Sequence, residues 1–157
     1  MSKLVVYYSR TGRTKRVAEQ IAQKLEAKTA LIQDTKSREG LIGWFKSGFD
    51  AFTEKKAEIN FDNQIDEFDT LIVGSPVWAG KLTPAIRTFL GDIVDNKQKL
   101  AFFATCGNSV GETFEIMEKL SKKPVATLEL NRKQLKDNEI VKQNVNQFCN
   151  DIQESKA

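Results

Sequence analysis

The most constraining feature of this chain is a repeated change of period. Short unbroken apolar runs alternate with stretches whose apolar residues recur at helical spacing. Leu4-Val5-Val6-Tyr7-Tyr8 is the first run, and Val17, Ala18, Ile21, Ala22 and Leu25 then follow at the spacing of a helix's inner face. Residues 29–33 read as a second, weaker strand, Leu71-Ile72-Val73-Gly74 as a third, 100–104 as a fourth and 125–130 as a fifth. Thr83-Pro84 opens a helix, with Thr as N-cap and Pro at the first helical position, and Ile86, Phe89, Leu90 and Ile93 form its inner face. Phe114, Met117 and Leu120 mark another helix, and Ile140, Val141, Val145, Phe148, Cys149 and Ile152 stripe the last. Strands separated by helices imply a parallel sheet with right-handed crossovers. Unbroken apolarity in the first, third and fourth strands predicts burial on both faces. The expected fold is a doubly wound α/β domain in which ligands bind outside the carboxyl ends of the strands, near the switch point.

One domain is expected over 1–157, because 157 residues leave no room for two large ones and 40% hydrophobic residues suffice for a core. Residues 35–63 are long for a crossover. Leu41, Ile42, Phe45, Phe49 and Phe52 share one helical face with Trp44 beside it, which predicts a helix over 41–54. Its aromatics either pack on the sheet or face a partner.

Composition removes several functions. With no histidine there is no Ser-His-Asp or Cys-His catalysis and no His-ligated zinc. Two cysteines, Cys106 and Cys149, form no CxxC pair and cannot build a cysteine-only metal site in one chain. Such low cysteine usage fits a reducing compartment, so a cytoplasmic location is expected. No run of 18 apolar residues would span a membrane, and Leu4 to Tyr8 is too short for the core of a secretory leader. The net charge of +3 suits anionic ligands without demanding nucleic acid.

Three strand ends carry the chemistry. The first is Ser9-Arg10-Thr11-Gly12-Arg13-Thr14. The amides opening the next helix lack intrahelical partners and the helix dipole is positive there, which makes an anion site. Hydroxyls can donate to phosphate oxygens, Gly12 allows close approach, and Arg10 and Arg13 add charge at the rim. Neither GxxxxGK[ST] nor GxGxxG is present, and a cap alone would need only one hydroxyl. The second segment is Gly74-Ser75-Pro76-Val77-Trp78-Ala79-Gly80-Lys81, where Pro76 is expected to stop strand pairing. Its Trp78 is either an apolar plug or a surface for stacking on a flat ring. The third, Thr105-Cys106-Gly107-Asn108-Ser109-Val110-Gly111, either turns the chain or offers backbone groups to a planar, hydrogen-bonding ligand. Cys106 lacks the CX5R phosphatase pattern, since Gly111-Glu112 stands where the arginine would be.

Together these segments, YSRTGRT at 8–14, GSPVWAGKLTPA at 74–85 and FATCGNS at 103–109, resemble the short-chain flavodoxins and the wider flavodoxin-like family, in order and spacing and over nearly the whole chain. The resemblance implies a three-layer sandwich with a five-stranded parallel sheet in the order 2-1-3-4-5. It also implies non-covalent flavin mononucleotide (FMN), with the phosphate on Ser9, Arg10, Thr11, Gly12, Arg13 and Thr14. The isoalloxazine would lie between Pro76, Val77, Trp78, Ala79 and Gly80 on one side and Thr105, Cys106, Gly107 and Asn108 on the other. The implied partners are a flavodoxin reductase and an acceptor enzyme, and the implied state is a monomer or weak dimer.

Three departures from the family pattern stand out. Ala79 follows Trp78 where many members carry a glycine whose peptide flips on reduction, and alanine resists positive φ. Residues 105–111 contain no aromatic, which leaves one ring face more open. The slight basic excess contrasts with the acidic surfaces of many flavodoxins. The leading expectation is a redox carrier that needs no acid or base of its own. The alternative is an FMN-dependent reductase of quinones or other small acceptors that draws on a nicotinamide. A phosphotransfer receiver is excluded, because Ser9-Arg10 and Ser75-Pro76 stand where its acidic residues would be.

Overall fold

The structure, a computed structural model, describes residues 1–34, 59–61, 64–95 and 97–156. In chain order the elements are β1 (Lys3–Tyr7), α1 (Arg13–Leu25), β2 (Lys28–Leu31), β3 (Gln33–Asp34), β4 (Ile59–Asn60), β5 (Thr70–Trp78) and β6 (Lys81–Leu82). They continue with α2 (Pro84–Thr88), a turn of π-helix (Phe89–Ile93), β7 (Lys99–Cys106), α3 (Thr113–Leu120), β8 (Thr127–Asn131), α4 (Arg132–Leu135) and α5 (Asn138–Glu154). The main sheet is parallel and runs β2-β1-β5-β7-β8, which is the 2-1-3-4-5 order when its five long strands are counted alone. The short β3 and β4 pair antiparallel beside it. The helix expected over 41–54 lies outside the described residues.

Strand alternation divides the core in two. Val5 and Tyr7 point to the face covered by α1 and α5, where they meet Ile72, Ala101, Phe103, Leu128 and Leu130. Leu4, Val6 and Tyr8 point to the other face, with Leu71, Val73, Leu100, Phe102 and the α2 side chains Ala85 and Ile86. A strand whose neighbours are apolar above and below must be apolar at every position, so the unbroken runs of β1, β5 and β7 were diagnostic. Edge strand β8 alternates instead, with Leu128 and Leu130 buried and Thr127 and Glu129 exposed. On α1 the buried stripe Val17, Ala18, Ile21, Ala22 and Leu25 fixes which side meets the sheet. Each large side chain buried this way contributes about 1.5–3 kcal/mol.

One local expectation needs correction, and a second holds in position while its hydroxyl does other work. Pro76 does not stop strand pairing, because β5 runs on to Trp78 and Pro76 sits opposite Thr105 of β7. The Tyr8 amide donates to the Gly74 carbonyl at 3.2 Å, so residue 74 faces β1, and alternation turns residue 76 to the same side. The paired part of β1 ends opposite Gly74, so the N–H that proline lacks would have had no ladder partner there. Thr83 stands at the N-cap position of α2, with Pro84 first in the helix, but its side chain makes no capping bond. The buried Thr83 hydroxyl instead lies 2.9 Å from the Ser75 hydroxyl, whose Oγ also donates to the Pro76 carbonyl at 2.7 Å. The hydroxyl that reads as a cap therefore braces the end of β5.

Candidate functional site

The carboxyl ends of β1, β5, β7 and β8 enclose a cleft of about 190 Å³. It is lined by Arg10, Thr11, Arg13, Thr14, Pro76, Val77, Trp78, Thr105, Cys106, Gly107 and Arg132. All three segments singled out in the sequence thus meet at one place.

The β1–α1 loop builds the polar wall. Gly12 is the residue before the helix, with φ +92°, and a Cβ there would meet nothing within 4 Å. The loop needs glycine for its backbone conformation and leaves open space above it. Because Gly12 has no side chain to cap with, Ser9 does the capping. Its Oγ accepts from the Gly12 amide at 3.2 Å and from the Lys15 amide at 3.3 Å. Among the described residues the amides of Thr11, Arg13 and Thr14 have no acceptor, as the start of a helix dictates. The three hydroxyls are thus not equivalent. Ser9 organises the loop, and Thr11 is exposed at the cleft. Thr14 is buried, with its Oγ1 2.8 Å from Thr105 Oγ1, so the bond spans from α1 to the end of β7.

The second wall is a hairpin. β5 and β6 pair antiparallel, Val77 with Leu82 and Trp78 with Lys81, around the two-residue turn Ala79-Gly80. Both turn residues have positive φ, +52° and +72°, the signature of the primed turns that suit hairpin twist. Alanine does adopt the left-handed region here, at a cost of about 1 kcal/mol. Trp78 is partly buried and meets Tyr8 edge-on, with ring centroids 5.6 Å apart at 80°. One side of the indole therefore joins the core, and the residue also lines the cleft. Gly111, with φ +55°, lies against the Gly80 carbonyl, where a Cβ would clash. The loop after β7 thus touches the hairpin turn.

At the cleft floor, burial pushes the Cys106 thiol up to about 11, with the nearby Glu129 carboxylate adding to the shift. Its Sγ lies 3.8 Å from both Glu129 Oε1 and the Leu130 carbonyl. It is therefore a neutral thiol at ordinary pH, not a thiolate nucleophile. Among the described residues no cluster of histidine, cysteine and carboxylate side chains could hold a metal ion. None of the described helices is long and apolar enough to cross a membrane.

Ten of the residues singled out in sequence line the cleft. Ser9, Gly12, Ala79 and Gly80 belong to the two wall segments without lining the cleft, and the exposed Asn108 does not line it either. Sequence reading missed Arg132. It is the first residue after β8, a strand end that the same carboxyl-edge rule covers.

The fold and this cleft define a doubly wound α/β protein with a donor-rich loop and an aromatic wall at the carboxyl ends of its strands. The chain belongs to the flavodoxin family, whose model matches residues 2–152. Among solved structures it is similar to a flavoprotein from Lactobacillus acidophilus in complex with FMN, at 22% identity and a TM-score of 0.71, over 82% of this chain and 92% of that one. It is also similar to a flavodoxin from the domain Archaea, at 19% identity and a TM-score of 0.60, over 98% of each chain. Flavodoxin 2 of Bacillus cereus matches at 20% identity and a TM-score of 0.60, over 98% of this chain and 99% of that one. A search of curated proteins returned no match.

Proposed function

We propose that this protein is an FMN-binding electron carrier, a single domain that works in the cytoplasm as a monomer or weak dimer between a reductase and an acceptor enzyme. The observation that carries this reading is the chemistry of the cleft. Its described lining offers cations, unpartnered amides and an indole, but among the described residues no carboxylate and only a neutral thiol, in a chain without histidine. Such a site can hold and tune a cofactor, yet it has no group ready to act as acid, base or nucleophile.

The residues present fit FMN. The open space over Gly12, the donor amides of Thr11, Arg13 and Thr14 and the Thr11 hydroxyl suit a phosphate dianion. Trp78 and the end of β7 would flank the ring. Membership of the flavodoxin family and the FMN complex of the Lactobacillus relative support the assignment. Bound FMN would supply the electron-accepting chemistry. The chain's own residues bind the phosphate, orient the ring and keep water from the Trp78 face.

A second reading, a reductase that takes electrons from a nicotinamide and passes them to a small acceptor, is favoured by one observation. Gly107, Asn108 and Ser109 are exposed and carry no aromatic, so a planar reductant could reach the ring from that side. Anaerobic addition of NADH or NADPH to the FMN-loaded protein separates the two. A carrier keeps its yellow colour until a reductase is added. Rapid bleaching by the nicotinamide alone would refute the carrier reading.

A further inference from the structure

We infer that Arg132 is a third cation of the phosphate subsite, so that the dianion is gripped from the last strand of the sheet as well as from the β1–α1 loop. The inference rests on the flavin reading above and adds to it a ligand outside the loop motif.

Four observations place Arg132 there. It lines the same cleft as Arg10, Thr11, Arg13 and Thr14. Its position is fixed by backbone: its amide donates to the Gly107 carbonyl at 3.2 Å, directly after the Cys106–Asn131 pair of β7 and β8. The turn it opens is held by a reciprocal cap, with the Gln134 amide donating to Asn131 Oδ1 and the Asn131 amide to Gln134 Oε1, both at 2.9 Å. Finally, α1 is tied to the same turn one helical turn beyond Arg13. The Arg16 guanidinium donates to the Leu135 carbonyl at 2.9 Å and to Asn138 Oδ1 at 2.8 Å. Arg13 and Arg132 are therefore carried on two elements clamped to each other.

Charge completes the argument. Among the described residues neither Arg13 nor Arg132 has a carboxylate within ion-pair distance, and no carboxylate lines the cleft. Arginines that line one small cleft repel one another, and a bound dianion relieves that repulsion. The planar fork of arginine also matches two phosphate oxygens at once.

The test compares FMN with riboflavin, which lacks the phosphate. In the apo-protein, Arg132→Gln removes the charge but keeps a polar side chain at an exposed position. It should weaken FMN binding about 10- to 100-fold and leave riboflavin binding unchanged, as expected for loss of one charge-assisted contact. Arg132→Lys should fall between, and Lys133→Gln, next in sequence but outside the cleft lining, should match the wild type. Inorganic phosphate should raise the melting temperature of the wild-type apo-protein more than that of Arg132→Gln. Equal losses for both flavins, no loss for either, or an equal effect of Lys133→Gln would each overturn the inference. If the wild type takes up neither flavin, the flavin reading falls, and the phosphate-induced shift alone then decides whether Arg132 belongs to an anion site.

Discussion

The two walls of the cleft are made by opposite means. The β1–α1 wall is polar and held by hydrogen bonds, from Ser9 under its loop to the Thr14–Thr105 pair that anchors it to β7. The β5–β6 wall is apolar and held by backbone shape, a primed turn that forces Ala79 into the left-handed region and sets Trp78 edge-on against Tyr8. The first wall offers charge and donors, and the second offers a surface. Loss of charge should therefore act on the phosphate, and loss of shape on the ring. Both walls stand on the same strand ends, so damage to that floor should reach both.

The largest effect belongs to the floor. Gly74 lies between Tyr7 and Phe103, and a Cβ there would run into the Phe103 ring, which is fully buried and cannot swing away. Gly74→Ala should cost about 3 kcal/mol in denaturant unfolding. A loss below about 1 kcal/mol would mean that the ring repacks freely.

Alkali probes the floor next. Burial raises both Cys106 and Cys149 from an ordinary value of 9.0 to about 11. The folded protein thus keeps protons that the unfolded chain gives up, and stability falls as pH rises from about 9 towards 11. Each thiol contributes on the order of 2 kcal/mol at most. Cys106→Ala should flatten the decline of the melting temperature in that window, and an unchanged slope would mean that water reaches the thiol.

The polar wall comes third. Thr14→Val keeps the shape but leaves the buried Thr105 hydroxyl without its partner, at a cost of about 1–2 kcal/mol in unfolding free energy. Thr11→Ala, at an exposed position, should instead weaken FMN and spare stability. If the two variants exchanged these effects, the roles assigned to the hydroxyls would be reversed.

The smallest change is on the aromatic wall. Ala79→Gly removes the left-handed strain but loosens the unfolded chain, so stability should change by less than about 1 kcal/mol. A destabilisation of several kcal/mol would show that the alanine methyl packs in a way the turn geometry does not require.

Much of this was legible in the sequence. β1, β5 and β7 were readable because burial on both faces demands unbroken apolarity, and their ends gave ten residues of the cleft lining. The hairpin was not. A proline reads as a strand terminator, and only the tertiary fact that β1 ends opposite Gly74 makes Pro76 harmless there. The roles of individual hydroxyls were also hidden, because Ser9, Thr14 and Thr83 find their partners through loop shape or across the fold. Arg132 escaped notice because α4 is only four residues long. Its reciprocal cap, Asn131 with Gln134 three residues on, was nevertheless a readable helix-start signal.

The most direct test of the central claim is titration of free FMN with the apo-protein while flavin fluorescence is followed. We expect quenching that saturates at one FMN per chain and weakens markedly in Trp78→Ala. Fluorescence that stays constant at micromolar protein would contradict the assignment of this cleft to FMN.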